Sequence, residues 1–258
     1  MDFSGTVEVL HVLVRLPAPV AAMLGLLAAS PAAAIVGGAE NAGPLGAASL
    51  MVLSSNGGVC SAVVVAPDAV LTAAHCAAGG AEHRVHWRGD DAHPVLIAPA
   101  AKDIHPGYVA NAIATRRRSI DLALLRLPKP LPARFSQAVL SGTPVGAGTA
   151  LEVGGYGVLS EGDARTTGTF RTAAVTVVEP YGPSKILVWT RGRAGVGACS
   201  GDSGGPIAAG ASVVAIVAFA KGSKGRDCGD LTQGTLLFPQ RAWIDATLRS
   251  WGRSAHWE

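Results

Sequence analysis

Charge is scarce in this sequence. Only 15% of its 258 residues are charged, and 21 Lys and Arg nearly balance 18 Asp and Glu. A formal net charge of +3 gives no reason to expect a nucleic acid or another polyanion as partner. The single dense basic cluster, Arg116-Arg117-Arg118, reads as a solvated loop. Cysteine is limited to four residues with no Cys-x-x-Cys spacing, which argues against a structural zinc site. Long apolar runs are missing as well. The uncharged stretch 17–29 is too short to span a bilayer comfortably, and Pro17 and Pro19 weaken a spanning helix further. There is no internal repeat, and low complexity is confined to the first 34 residues.

That short apolar stretch has flanks of its own. Arg15 precedes it and Ala32-Ala33-Ala34 follows it. A basic residue, a short apolar core and a small-residue end are the marks of a secretory signal. Residues 1–34 therefore read as a cleaved leader, with a retained anchor as the rival. Residues 1–14 contain Asp2 and Glu8 but no Lys or Arg, a poor start for such a signal. This points to an initiation site further along, which sequencing the unprocessed precursor tests. Export makes Cys60, Cys76, Cys199 and Cys228 candidates for two disulfides, with three pairings open.

The remainder is rich in Gly (33 residues) and in scattered β-branched residues, a composition for a turn-rich β protein. Strand-like runs cover 49–53, 60–65, 95–97, 122–127, 151–153, 173–178, 186–190 and 213–218. Gly, Pro, Asn and Asp punctuate them, as in a sandwich or barrels. The stretch 128–149 is rich in Pro, Gly, Ser and Thr and reads as a linker between two halves. In 242–252, Trp243, Ile244, Thr247, Leu248 and Trp251 fall at helical spacing, with Pro239 before and Gly252 after. This predicts a terminal helix packed on the β body, its tryptophans in the core.

Three segments carry chemistry: Leu71-Thr72-Ala73-Ala74-His75-Cys76, Ser119-Ile120-Asp121-Leu122, and Gly201-Asp202-Ser203-Gly204-Gly205-Pro206. A serine hydroxyl is a poor nucleophile at neutral pH and needs a base to take its proton. Histidine titrates near the working pH, and a carboxylate behind it fixes its tautomer and stabilises the imidazolium. His75, Asp121 and Ser203 supply these residue types.

These segments resemble the signature motifs of the chymotrypsin-like, trypsin-type serine proteases. The chain order His, Asp, Ser is that family's and differs from the subtilisin and α/β-hydrolase orders. Ile35-Val36-Gly37-Gly38 is similar to the family's mature N-terminus. Ile104-His105-Pro106-Gly107-Tyr108 is similar to the segment before its catalytic Asp, and Gly154-Gly155-Tyr156-Gly157 to the opening of its second half. The likeness runs from Ile35 to about Trp251.

The resemblance implies an all-β fold: two six-stranded antiparallel β-barrels (35–140 and 141–258), the active site between them, and a C-terminal helix. It implies a secreted or periplasmic, monomeric serine endopeptidase without cofactor or metal. The substrate would be protein or peptide, with a protein inhibitor as a possible partner and no contact with nucleic acid or, after signal cleavage, membrane. It assigns His75, Asp121 and Ser203 to catalysis and the backbone N–H groups of Gly201 and Ser203 to an oxyanion hole. It pairs a new α-amino group at Ile35 with buried Asp202. No basic residue precedes Ile35 for a trypsin-like activator, so signal cleavage after Ala34 would itself create the active N-terminus. The implied disulfides join Cys60 to Cys76 and Cys199 to Cys228; a further bridge of the family's second half has no counterpart.

Specificity follows by position in the same likeness. Gly197 at the pocket floor has no charge, which speaks against a strict basic preference. With Ala198, and with Ala220 and Gly234 as walls, it points to small or medium apolar residues at the cut, aromatics second. Ala218 and Phe219 stand where the family has a serine touching the catalytic Asp and a tryptophan, which puts full activity in doubt. The backbone of 218–220 can still pair with an extended peptide. His83, His86, His93, His105 and His256 form no ligand set, and 221–227 is a Gly-rich polar loop. Two rivals stand beside this reading: an inactive homologue acting as a binding protein, and an esterase, which the serine motif alone does not exclude.

Overall fold

A computed structural model of the chain describes Met1, residues 35–41, 43–193, 195–223 and 225–258. The expected leader, Met1 apart, lies outside the described residues.

The chain opens with β1 (Ala39–Glu40) and one helical turn, α1 (Pro44–Ala47). The first sheet comprises β2 (Ser49–Ser54), β3 (Val59–Ala66), β4 (Ala69–Thr72), β5 (His83–Arg88), β6 (Pro94–Ile97), β7 (Ala101–Ile104) and β8 (Ala123–Arg126), with α2 (Ala112–Thr115) before β8. The second contains β9 (Val139–Leu140), β10 (Ala150–Gly155), β11 (Arg171–Val178), β12 (Leu187–Arg191), β13 (Pro206–Ala209), β14 (Ser212–Lys221) and β15 (Leu231–Leu236). The helix α3 (Arg241–Ser250) and a short β16 (His256–Trp257) end the chain.

The first sheet runs β6-β5-β2-β3-β4-β8-β7, all antiparallel. Its outer strands β6 and β7 are consecutive in sequence, parted only by residues 98–100. Pro99 lies in that gap and has no N–H to give a ladder. Counted as one bent strand, β6 and β7 leave six. In the second sheet the path β13-β10-β11-β12-β15-β14 closes because β13 also pairs with β14. That is a closed six-stranded antiparallel barrel. The two-residue strands are additions to it: β1 on β11, and β9 on β14 and β16, the last two pairings parallel. The architecture is thus the expected all-β one, two antiparallel barrel units with a C-terminal helix.

Near-continuous apolar runs build both interiors. In β3 the six residues from Ser61 to Ala66 are all buried. Leu50, Val64, Val70, Val85 and Leu125 fill the first unit, and Val153, Val175, Ile207 and Val217 the second. A third cluster joins strands of both units to α3 through Leu71, Leu124, Ile216, Leu237, Ile244 and Leu248. The helix buries Ile244, Thr247 and Leu248 on one face. It stops at Gly252, whose φ of 70° no β-branched residue takes readily. There the Arg253 N–H reaches the Leu248 carbonyl and the Gly252 N–H that of Arg249, a Schellman ending.

The expected linker 128–149 is not free chain. It contains β9, with Leu140 fully buried, and this strand joins the second sheet at Val139. Trp243, Trp251 and Trp257 pack on the shared core.

Candidate active site

His75 sits in a tight turn of 3-10 helix (Ala74–Cys76) directly after β4. The Cys60–Cys76 disulfide ties that turn back to β3. Asp121 stands two residues before β8. Its carboxylate accepts two hydrogen bonds from His75, one from the backbone N–H at 2.9 Å and one from the ring Nδ1 at 2.6 Å. The double contact fixes imidazole and turn together and makes Nδ1 the protonated nitrogen. The other ring nitrogen, Nε2, lies 3.6 Å from Cys76 Sγ. Tyr108 is near enough to feel the Asp121 charge: its phenol pKa is raised, by burial first and by that carboxylate second. Ala218 lines the same cleft and has no hydroxyl to offer the carboxylate.

Ser203 lies in the turn that leads into β13. Its carbonyl accepts the Ser61 N–H at 2.7 Å, and the Gly204 N–H donates to Val217. Gly204 has φ +86°, and a Cβ there would run into the Ser61 carbonyl and the Thr72 hydroxyl. The turn presses so closely on the first unit that only glycine fits.

One residue that sequence reasoning missed is Ser61. Fully buried, its hydroxyl donates to the Gly201 carbonyl at 2.9 Å and accepts the Tyr156 N–H at 2.9 Å. Together with its own backbone bond to Ser203, it pins both sides of the serine loop to β3. Nothing local in the sequence marks it; the signal is purely tertiary.

Asp202 has no exposure to solvent. Its carboxylate accepts the N–H groups of Gly157 (2.8 Å) and Cys199 (2.9 Å). Burial drives its pKa up to about 7, against the lowering effect of those two bonds and of the Arg171 charge. Gly155 and Gly157 pack against it so tightly that a Cβ on Gly157 would stand 2.6 Å from its carboxyl carbon. Ile35 is likewise fully buried, in the core of the second unit beside Leu151, Val153 and Ala198. Its neighbour Val36 bridges to Gly197, accepting the Gly197 N–H at 3.1 Å.

His75, Asp121 and Ser203 share one cleft of about 1620 Å³. This exceeds the roughly 300–1,000 Å³ of small-molecule pockets and suits a polymer chain. Ala218, Phe219 and Ala220 line it. A register irregularity in β14 falls at Ala218, and such a bulge re-aims a strand's side chains. Gly197, Ala198 and Gly234 are not among the residues that line this cleft. Side chains alternate along β15: Gln233 and Thr235 face the cleft, so Gly234 faces inward. A Cβ on Gly234 would strike Ile207, Ala215 and Val188 of the core. Ala198 is fully buried and donates its N–H to Thr232 Oγ1 at 3.0 Å. The same hydroxyl is the nearest atom to a Cβ built on Gly197, at 3.3 Å.

The Cys199–Cys228 disulfide forms part of the cleft wall. Residues 35–236 match the family model described as Trypsin. The chain belongs to the trypsin family. Family membership makes it a serine-type endopeptidase that acts on protein or peptide chains. Among its relatives, brachyurin of Leptuca pugilator is 30% identical over 166 residues, covering 57% of this chain and 70% of that protein. Kallikrein-9 of Homo sapiens is 29% identical over 180 residues, covering 61% and 68%. In fold the chain is similar to neuropsin, a serine protease of mouse brain (TM-score 0.69, 21% identity, 83% of this chain and 99% of that one). It is also similar to human heparin binding protein (TM-score 0.68, 22% identity, 83% and 97%). Residues 201–205 also fit the Gly-x-Ser-x-Gly pattern of α/β-hydrolases, but there the serine stands between a strand and a helix. Here a strand, β13, follows it, and the trypsin-type fold removes that route to the esterase rival.

The remaining histidines are dispersed. His105 is buried against Trp243 of α3, ring centroids 4.7 Å apart, and burial is the chief cause of its lowered pKa. His86 bonds the Val95 carbonyl within the first sheet, and His93 pairs with Asp91. Among the described residues, the single grouping with metal-ligand types is Cys60, His75 and Cys76. Its sulfurs are bonded to each other and unavailable as thiolates.

Proposed function

We propose that this trypsin-family protease is exported, matures by signal cleavage after Ala34, and cuts extended peptides after small or medium apolar residues. The observation that carries the reading is the doubly bonded His75–Asp121 pair in the same cleft as Ser203. In the reaction, His75 Nε2 takes the Ser203 proton as Oγ attacks the scissile carbonyl. The same proton then goes to the leaving amine, and water hydrolyses the resulting acyl-enzyme by the reverse relay. The developing oxyanion is held by the N–H groups of Gly201 and Ser203, each such donor typically worth about 3 kcal/mol of barrier. Gly201 is at φ +96°, a conformation open to glycine, and the Ser61 and Asp202 contacts on either side hold the loop. The acyl portion of the substrate pairs with the backbone of 218–220.

The activation step rests on Ile35 and Asp202. Asp202 is a buried carboxylate with two amide donors and no cation in hydrogen-bond contact among the described residues. Ile35 is at φ +50°, where β-branched residues are outliers. That torsion depends on the preceding residue, so a chain that starts at Ile35 is relieved of it. The freed amine supplies the missing cation. Export is supported by the two disulfides, bonds that persist in oxidising compartments. No helix among the described residues is long and apolar enough to cross a membrane. The protein acts as a monomer, open to control by a protein inhibitor, and needs no cofactor. Apolar specificity is supported by the uncharged residues Ala218, Phe219 and Ala220 on the cleft wall.

Reaction of the secreted protein with a fluorophosphonate probe, lost in Ser203→Ala, tests the catalytic assignment. Absence of labelling in the wild type would instead favour the binding-protein alternative. N-terminal sequencing that finds a start other than Ile35 would sink the maturation step. Profiling with a peptide library tests the apolar preference, which dominant cleavage after Arg or Lys would overturn.

A further inference from the structure

The arginine run reads as an idle solvated loop, yet its place in the fold is the rim of the active-site cleft. Arg116, Arg117 and Arg118 all line the cavity that holds His75 and Ser203. They lie in an excursion, residues 109–120, that begins after Tyr108 and ends one residue before Asp121. Its neck is closed. The Val109 N–H donates to Ser119 Oγ at 2.8 Å, Ser119 Oγ donates to the Val109 carbonyl at 3.3 Å, and the Ile120 N–H donates to Gly107 at 3.0 Å. Inside the loop, α2 is framed by Asn111 and Arg116, both with positive φ. The arginines are therefore carried on a folded support anchored beside the His75–Asp121 pair.

All three arginines are exposed, and none has a carboxylate within ion-pair distance among the described residues. Lys185 and Lys221 line the same cleft and are equally unpaired. The acidic residues on its walls are Asp121, already bonded to His75, and Asp227. A cleft lined by one sign of charge between low-dielectric walls focuses potential and concentrates ligands of the opposite sign. Exposed apolar side chains share the walls: Ile113 is 56% exposed and Tyr181 65%, and Tyr181 packs edge-on against Trp189. This mixture suits a polypeptide better than a sulfated glycan. The cleft's lining includes Ser203, residues 218–221 and Tyr181, and does not include Cys60 or Cys76.

We infer that the 109–120 loop makes this protease select peptides with Asp or Glu two to four residues before the cut bond. The inference rests on the protease reading above, because it places the acyl side of the substrate against 218–220.

The test uses quenched fluorescent peptides with one fixed apolar residue at the cut and Glu, Ala or Lys placed in turn at each nearby position. The wild-type secreted protein should cleave peptides with Glu before the cut about tenfold faster, in kcat/KM, than those with Lys, the combined effect of a few exposed ion pairs. The ratio should shrink toward one in 1 M salt, where the Debye length is about 3 Å. It should fall in Arg116→Ala/Arg117→Ala/Arg118→Ala and reverse in the corresponding triple Glu variant. Cleavage without acidic preference, or a preference confined to positions after the cut, would overturn the inference and leave the protease reading standing. So would arginine-dependent retention on immobilised heparin with unchanged peptide selectivity, which would mark the run as a polyanion site. If neither probe labelling nor cleavage of any peptide occurs, the protease reading fails and the inference falls with it.

Discussion

Blocking the Ile35 amine should both inactivate the enzyme and change how its stability responds to pH. The perturbation is one extra residue before Ile35, compared with a chain that begins at Ile35. Without the amine, Asp202 is a fully buried carboxylate whose pKa is pushed up to about 7 from an ordinary 3.8. Between those two pH values the unfolded chain has released the proton and the native chain still holds it. The native state binds more protons there, so stability falls as pH rises from about 4 to about 7. Three pKa units correspond to about 4 kcal/mol, a large share of the roughly 5–15 kcal/mol of a typical domain. With the amine present, an adjacent cation favours the ionised form and lowers the carboxylate pKa. The loss over this window should then disappear.

The assay is urea unfolding at pH 4, 5, 6, 7 and 8, disulfides intact, with Ser203→Ala in both chains to prevent self-digestion. The urea midpoint of the extended chain should fall substantially between pH 4 and 7, and the chain starting at Ile35 should hold it. In the active background the extended chain should cleave peptides at least a hundredfold more slowly, because the loop that carries Gly201 and Ser203 hinges on Asp202. Equal pH slopes for the two chains, or equal activity, would refute the reasoning.

Asp121→Asn should lower kcat about 10⁴-fold with little change in KM, since Asn supports the wrong imidazole tautomer; a pH–rate profile of kcat checks it. Ser61→Ala removes two buried hydrogen bonds and should cost roughly 1–3 kcal/mol in urea unfolding. It should also reduce kcat more than KM, because the Gly201 carbonyl loses its anchor. A joint Cys60→Ala/Cys76→Ala change opens a 16-residue separation and should cost about 3 kcal/mol, read from the unfolding midpoint. Gly204→Ala should yield little soluble protein, because its Cβ would meet the Ser61 carbonyl at a positive φ; normal expression with normal probe labelling would contradict that packing.

The longer barrel strands with uninterrupted or alternating apolar residues were legible from the chain alone, as β2, β3, β11 and β14 show, whereas the four-residue apolar strands β4 and β13 were too short to stand out. Those with a polar face were not legible either. His83–Arg88 and Leu231–Leu236 carry too many polar residues to signal a strand, and become strands because neighbours on both edges complete their ladders. Two-residue strands such as β9 and β16 have no local signal at all. Likewise, His75, Asp121 and Ser203 stand in distinctive sequence settings, but Ser61 acquires its role solely from packing across the two units.

The specificity pocket shows why positional likeness reaches less far than motif likeness. A motif fixes both the residue and its backbone setting, as for Asp202 and Ser203 in the turn before β13. A wall residue on a strand is different. Its side chain faces cleft or core according to parity, and a shift of one residue exchanges the two faces. Gly234 illustrates the hazard: its neighbours Gln233 and Thr235 line the cleft while Gly234 fills a gap among Ile207, Ala215 and Val188. Phe219, Gln233 and the loop bearing Arg116 to Arg118 border the cleft, so substitutions there, rather than at Gly234, are the direct test of what it selects.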